Sequence, residues 1–316
     1  MPRDEKRMKN SKKSLSKAAF IELFLVFAGL ILCAGCASEE KTPDPAKMTS
    51  QISYSVSDEG VLIPERISYS FSLANVTNAG GNSTVKLSEI WMDGGEAAVY
   101  SLLASPENPK AGIVFAPGAG VSADAHKKRS VDYAESDIAF MAVDIRGNGG
   151  KTPGLPLDFS NELRMAVSGL TPQYYMIVFD IIAAKDYLKE IYGESFPVYA
   201  MGSSNGGRYA AVAAGCDSEF AGYFGVSTSG YFWENGISSK EADLFIKSIN
   251  PDTYIGNISP AKTVIFHSPD DTVIEYDDGF ALYEKASEPK MFVSFNGTHG
   301  INGEADRYIK NLLAED

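Results

Sequence analysis

Residues 196–207 read Phe196-Pro197-Val198-Tyr199-Ala200-Met201-Gly202-Ser203-Ser204-Asn205-Gly206-Gly207, and a run of small residues follows to Ala214. The first part is a short continuous apolar run, the pattern of a strand buried on both faces. The last part is small and compatible with a helix. Between them stands Gly202-x-Ser204-x-Gly206. A strand that turns at once into a helix leaves little room for Cβ atoms beside the turn, so glycines flank the serine. Ser204 then sits at the carboxyl end of the strand, above a helix N-terminus whose N–H groups face developing negative charge. Ser204 is therefore the candidate nucleophile, and Ser203 lacks the glycine spacing.

The same rhythm extends outward from this turn. Residues 111–117, 138–145, 221–227, 263–268 and 291–297 are further buried-type runs. Residues 176–193 have helical periodicity and end in Gly193, a C-cap signal. Residues 281–286 and 304–315 also read as helices. Strands alternating with helices predict a mostly parallel α/β sheet with helices on both faces. Upstream, 52–57 and 67–76 alternate apolar and polar residues. Residues 85–92 and 97–104 read as a hairpin around Asp93-Gly94-Gly95, and these segments predict antiparallel strands at one edge. Residues 228–260 break the rhythm and carry Tyr231, Phe232, Trp233 and Tyr254. They are expected to form a small cap within one domain spanning 51–316.

A serine needs a base, and the chain holds three histidines. His299 lies in Phe295-Asn296-Gly297-Thr298-His299-Gly300, a loop after the last strand. His267 lies inside an apolar strand and reads as a core residue. His126 opens a helix after the first buried strand and reads as a surface residue. A third group must orient the base. Asp270 and Asp271 both follow the strand at 263–268.

From about residue 84 to 314 the chain resembles the α/β-hydrolases, above all the dienelactone-hydrolase and esterase-like groups. Ser268-Pro269-Asp270-Asp271-Thr272-Val273-Ile274 is similar to the family segment that bears the acid, with Ser268 in place of glycine. The resemblance selects Asp271 over Asp270 and gives the family order Ser204, Asp271, His299. Gly297, His299 and Gly300 resemble the family's final motif, with one residue fewer between glycine and histidine. Asp144-Ile145-Arg146-Gly147-Asn148-Gly149 resembles an element that is structural in the family. Ala116-Pro117-Gly118-Ala119-Gly120 departs from the common His-Gly oxyanion loop. By position, the backbone N–H groups of Ala119 and Asn205 would form the oxyanion hole. The resemblance implies acyl transfer on a small-molecule carboxylic ester. A peptidase or amidase would use the same three side chains, and an inactive surface-displayed binding module would keep only the fold. No metal or organic cofactor is implied, since the sequence has neither a Cys/His cluster nor the Lys-Ser/Thr of a P-loop.

The N-terminus reads as an address. Residues 1–17 are basic, 18–35 are apolar apart from Glu22, and small residues precede Cys36, the order of a secretion signal. Leu32-Cys33-Ala34-Gly35-Cys36 resembles the lipobox of prokaryotic lipoproteins, with Cys33 a less usual residue at its position. That resemblance implies cleavage before Cys36 and a lipid on it. An uncleaved signal anchor is the alternative. Residues 36–50 read as a polar tether. The expected location is extracytoplasmic, membrane-anchored at a prokaryotic cell envelope. Residues 1–35 hold seven of the 28 basic and three of the 41 acidic residues, which leaves 21 basic against 38 acidic in the rest. Such a body repels nucleic acid, whose phosphates need Lys and Arg partners. Beyond Cys33 and Cys36 only Cys216 remains, so the body has no disulfide framework.

Overall fold

In the computed structural model, residues 52–80, 83–232 and 239–315 are described. The signal at 1–35, Cys36 and the tether at 36–50 lie outside them. β1 (Ile52–Val56) and β2 (Leu62–Ile67) pair antiparallel as a separate two-stranded sheet. Pro64 hides β2 from the sequence pattern, because proline cannot donate to a ladder. It is tolerated because both strands of such a sheet are edges, and the register shifts where Tyr54 meets it.

β3 (Ser70–Asn78), β4 (Lys86–Asp93) and β5 (Val99–Ser105) run antiparallel along one edge of a nine-stranded sheet. The other members are β6 (Ala111–Ala116), β7 (Ile138–Val143), β8 (Val198–Ser203), β9 (Gly222–Val226), β10 (Lys262–His267) and β11 (Lys290–Ser294). The spatial order is β11-β10-β9-β8-β6-β7-β5-β4-β3, and β6 to β11 pair in parallel. Every residue of β6, β7, β8 and β9 is buried, which explains their unbroken apolar runs.

The helices are α1 (Lys127–Ala134), α2 (Phe159–Val167), α3 (Gln173–Tyr192), α4 (Asn205–Cys216), α5 (Lys240–Ile249), α6 (Pro251–Tyr254), α7 (Tyr276–Lys285) and α8 (Gly303–Glu315). Strand side chains alternate between two cores. Val114, Met141 and Val143 join residues of α3 and α4, while Ile113, Phe115 and Phe140 join residues of α1 and α8. Among the described residues, no helix is long and apolar enough to cross a membrane.

The stretch expected to form a cap is partly described. Residues 233–238 lie outside the described set, and 240–258 form α5, α6 and a 3-10 turn. Ser239 starts α5 by accepting a hydrogen bond from the Ala242 N–H. Phe245 packs α5 onto α2 and α3 through Phe159 and Tyr175, at ring distances of 5.6 and 6.1 Å.

Candidate active site

Ser204 occupies the turn between β8 and α4 with φ 57° and ψ −126°. A non-glycine residue rarely holds a positive φ, and surrounding structure must impose it. Here the Ser204 N–H donates to Val226 O at 2.9 Å. Its carbonyl accepts the Thr228 hydroxyl at 2.9 Å and the Gly207 N–H at 3.0 Å. The flanking glycines are a steric need: a Cβ on Gly202 would strike the Gly206 carbonyl, and one on Gly206 would strike that of Ala116.

His299, in the loop after β11, reaches back to this turn. Its Nε2 lies 2.9 Å from Ser204 Oγ, and its Nδ1 lies 3.0 and 2.9 Å from the two oxygens of Asp271. With the ring proton on Nδ1, the ring donates to the carboxylate and accepts from the serine hydroxyl. The Asp271 side chain is fully buried. Burial alone would raise its pKa, but the Ile274 N–H, the His299 ring and the Val273 N–H outweigh that and hold the carboxyl below its usual range. Asp270, by contrast, is exposed.

His267 lies behind the same carboxylate. Its Nε2 donates to Ile274 O at 3.0 Å and stands 3.5 Å from Asp271 Oδ2. The ring is wholly buried, and desolvation lowers its pKa, which keeps it neutral. A Cβ on Gly279 of α7 would collide with its Nδ1, so that glycine makes room for the ring. His126 takes no part in this cluster: its ring stands edge-on to Phe115 at 4.6 Å, and its Nδ1 accepts from Arg129 at 2.6 Å.

The loop after β6 rests on the serine. A Cβ on Gly118 would stand 3.4 Å from the Ser204 Cβ, and the next residue, Ala119, is exposed. Asn205 opens α4, so its N–H is one of the helix's unpaired terminal donors. Asn148 fixes the loop from outside by donating to Gly118 O at 2.9 Å and Val121 O at 3.1 Å. Asp144 holds the same region through the N–H groups of Ala123 and Thr152, at 2.9 and 2.8 Å. Arg146 anchors the segment in the core by a buried two-point ion pair with Asp180, at 2.7 and 3.0 Å. Sequence reasoning leaves Asn148 without a role at the site. Only contacts across 30 residues of chain reveal it.

Beside Asn205 opens a cleft of about 180 Å³, walled by Leu157, Phe159, Glu162, Tyr174, Tyr209, Tyr231 and Ile249. A larger hollow of about 480 Å³ lies between α2 and residues 153–156, with none of Ser204, Asp271 and His299 in its walls.

No family model matches the chain, and no curated protein matches it in sequence. Solved structures do. An acetyl xylan esterase from Paenibacillus sp. R4 is 16% identical with a TM-score of 0.65, covering 78% of this chain and 89% of that one. Acetyl xylan esterase 1 from a Thermoanaerobacterium species is 14% identical with a TM-score of 0.63, covering 78% and 88%. A dienelactone hydrolase from Anabaena variabilis is 17% identical with a TM-score of 0.52, covering 74% and 97%. The chain has the α/β-hydrolase fold. At these identities the likeness fixes the fold and leaves the activity to the site. In open α/β sheets, ligands bind outside the carboxyl ends of the strands. In this α/β-hydrolase fold the loop bearing Ala119, Ser204, Asp271 and His299 lie just beyond β6, β8, β10 and β11.

Proposed function

We propose that this chain is a serine hydrolase that cleaves small carboxylic esters. The observation that carries the reading is the continuous hydrogen-bonded chain Ser204 Oγ, His299 Nε2, His299 Nδ1, Asp271. His299 takes the hydroxyl proton as Ser204 Oγ bonds to the ester carbonyl carbon. The carbonyl electron pair moves onto oxygen, which the N–H groups of Ala119 and Asn205 stabilise. The oxyanion collapses, the C–O bond to the alcohol breaks, and His299 returns its proton to the departing oxygen. Water then attacks the acyl-serine with His299 again as base, releasing the carboxylic acid and restoring Ser204. Asp271 stays ionised and holds the ring in the tautomer that this requires.

The sequence signal supports a location: export, with a lipid on Cys36 and the body at the outer face of a membrane. Loss of membrane retention in a Cys36→Ser variant checks this; unchanged retention excludes the lipid.

The full chain in membranes, treated with a fluorophosphonate probe, tests the chemistry. Wild type should label and hydrolyse p-nitrophenyl esters, and Ser204→Ala should lose labelling and on the order of 10⁵-fold or more in kcat. A folded wild type that neither labels nor turns over would overturn the proposal.

A further inference from the structure

Resting on that reading of Ser204, we infer that the cleft beside Asn205 is the acyl-binding subsite, and that it takes neutral acyl groups up to about the size of hexanoyl or benzoyl. Its place gives the side. In acyl transfer the alcohol must leave beside His299, which protonates it. No wall of the cleft comes from the loops that carry Asp271 and His299. The walls come instead from α3, α5, the 157–162 segment, Tyr231 and α4, which supplies Asn205 and Tyr209. A carbonyl oxygen held by the Asn205 N–H therefore has the cleft open to its acyl carbon chain.

Its position relative to that N–H is fixed by one side chain. Arg208 donates to Asn205 Oδ1 at 2.6 Å and to Ser229 O at 3.0 Å, and its guanidinium lies 4.4 Å from the Tyr231 ring centre. Tyr174 adjoins Tyr231, with ring centres 6.4 Å apart, and is held by donating to Ile249 O at 2.9 Å while its ring meets Tyr209 edge-on at 5.0 Å. The cleft is thus pre-formed, and its surface is mostly apolar and aromatic.

Size and charge give the ligand class. A volume of about 180 Å³ exceeds an acetyl group's needs and is close to the roughly 150 Å³ cavity known to hold benzene. The one ionisable carboxyl in the wall is Glu162, which is largely buried and accepts the Tyr174 N–H at 3.0 Å. Burial already pushes the Glu162 carboxyl up, and an acyl chain ending in a second carboxylate would have to lose its water beside it.

The test is kcat/KM of the full chain on p-nitrophenyl esters from acetyl to decanoyl, and on the hemisuccinate. Wild type should gain about three- to fourfold per methylene up to about hexanoyl, the increment of burying one CH₂, and then level off. The hemisuccinate should fall below the butanoyl ester. Leu157→Trp at the partly exposed rim should flatten the profile, so that the hexanoyl-to-acetyl ratio of kcat/KM falls toward one, with the melting temperature checking that the variant is folded. Phe159→Ala should move the optimum to longer chains. A flat or falling profile that neither variant alters, with acetyl turnover and labelling intact, overturns the subsite and leaves the serine hydrolase standing. Absence of labelling and turnover in wild type overturns the proposed function, and the subsite with it.

Discussion

Two walls border the turn that carries Ser204 and Asn205, and they present different chemistry. One carries Asp271 and His299 on loops just past β10 and β11. Directional hydrogen bonds fix it: Asp271 Oδ1 accepts the Val273 and Ile274 N–H groups at 2.9 and 3.0 Å, and the carboxylate then fixes His299. The other carries Tyr174, Tyr209, Tyr231 and Ile249, drawn from separate elements; hydrogen bonds such as Tyr174 to Ile249 O tie those elements together, but the face turned to the cleft is one of packed rings and an aliphatic side chain. Directional bonding needs a particular residue at a particular place. Packing needs volume, which several residues can supply. Changes to the first wall should therefore act on kcat, whereas changes to the second should redistribute preference among substrates.

The hardest way to strain this contrast is Asp271→Asn. The substitution keeps the shape and removes the charge that selects the His299 tautomer. Under the proposed mechanism kcat should drop about 10⁴-fold with KM little changed. A loss below tenfold would mean that the first wall is not the chemical one. Asn148→Ala is a weaker blow to the same chemistry, struck from the loop that bears Ala119. It deletes both side-chain hydrogen bonds on that loop, and misplacing one oxyanion donor should cost roughly 10- to 100-fold in kcat. Asn148→Gln, which can still donate, should recover part of it. Equal losses in both variants, or a loss confined to KM, would assign Asn148 to the fold alone.

His267 sharpens the contrast further, because it shares the acidic residue with His299 but is neutral and sealed in. As a positioning residue for the 271–274 turn, its replacement in His267→Gln should lower kcat by about tenfold, or ~1.4 kcal/mol of barrier. The acyl-chain profile should keep its shape. A changed chain-length preference would show that the two walls are not separable.

How far each wall was legible in the sequence follows the same division. Ser204 stands in a local pattern, because strand, glycines and helix must be contiguous for the turn to form. The Asp271 and His299 loops are short and follow continuous apolar strands, so their places could be read too. The second wall has no such signature. Its residues run from Leu157 to Ile249 without a common period. α2 is short: its stripe of Phe159, Leu163 and Ala166 is only partly buried, and its one buried residue is Glu162, which serves the N-terminus of α3. α5 does carry a signal: Ser239 as cap, Glu241 and Asp243 in the first turn, then Phe245, Ile246 and Ile249. The aromatic content of 228–260 draws attention to a cap and away from that amphipathic helix. His267 reads correctly as a core residue, but its contact with Asp271 depends on the turn between them.

The smallest expected effect separates stability from chemistry. His126 is pushed down to about 4, first by burial and then by the Arg129 charge beside it. Between about pH 6.5 and 4 the unfolded chain therefore binds a proton at this position that the folded chain does not. That contribution to stability is whole above about 6.5, and it shrinks as the pH falls toward 4. His267, also lowered, acts in the same direction, while the raised carboxyls of Asp180 and Asp306 act in the opposite one. Only a difference between variants isolates His126. Melting temperatures of wild type and His126→Gln, measured from pH 7 to 4, should converge as the pH falls, with wild type losing a few degrees more; a domain of this size shifts about 2–4 °C per kcal/mol. Parallel curves would show that His126 titrates alike in both states. Its ring packs on Phe115 and touches none of Ser204, His299 and Asp271, so the pH dependence of kcat should be the same in both proteins. If the kcat profile moved with His126, the chemical wall would reach beyond the carboxylate and two histidines assigned to it.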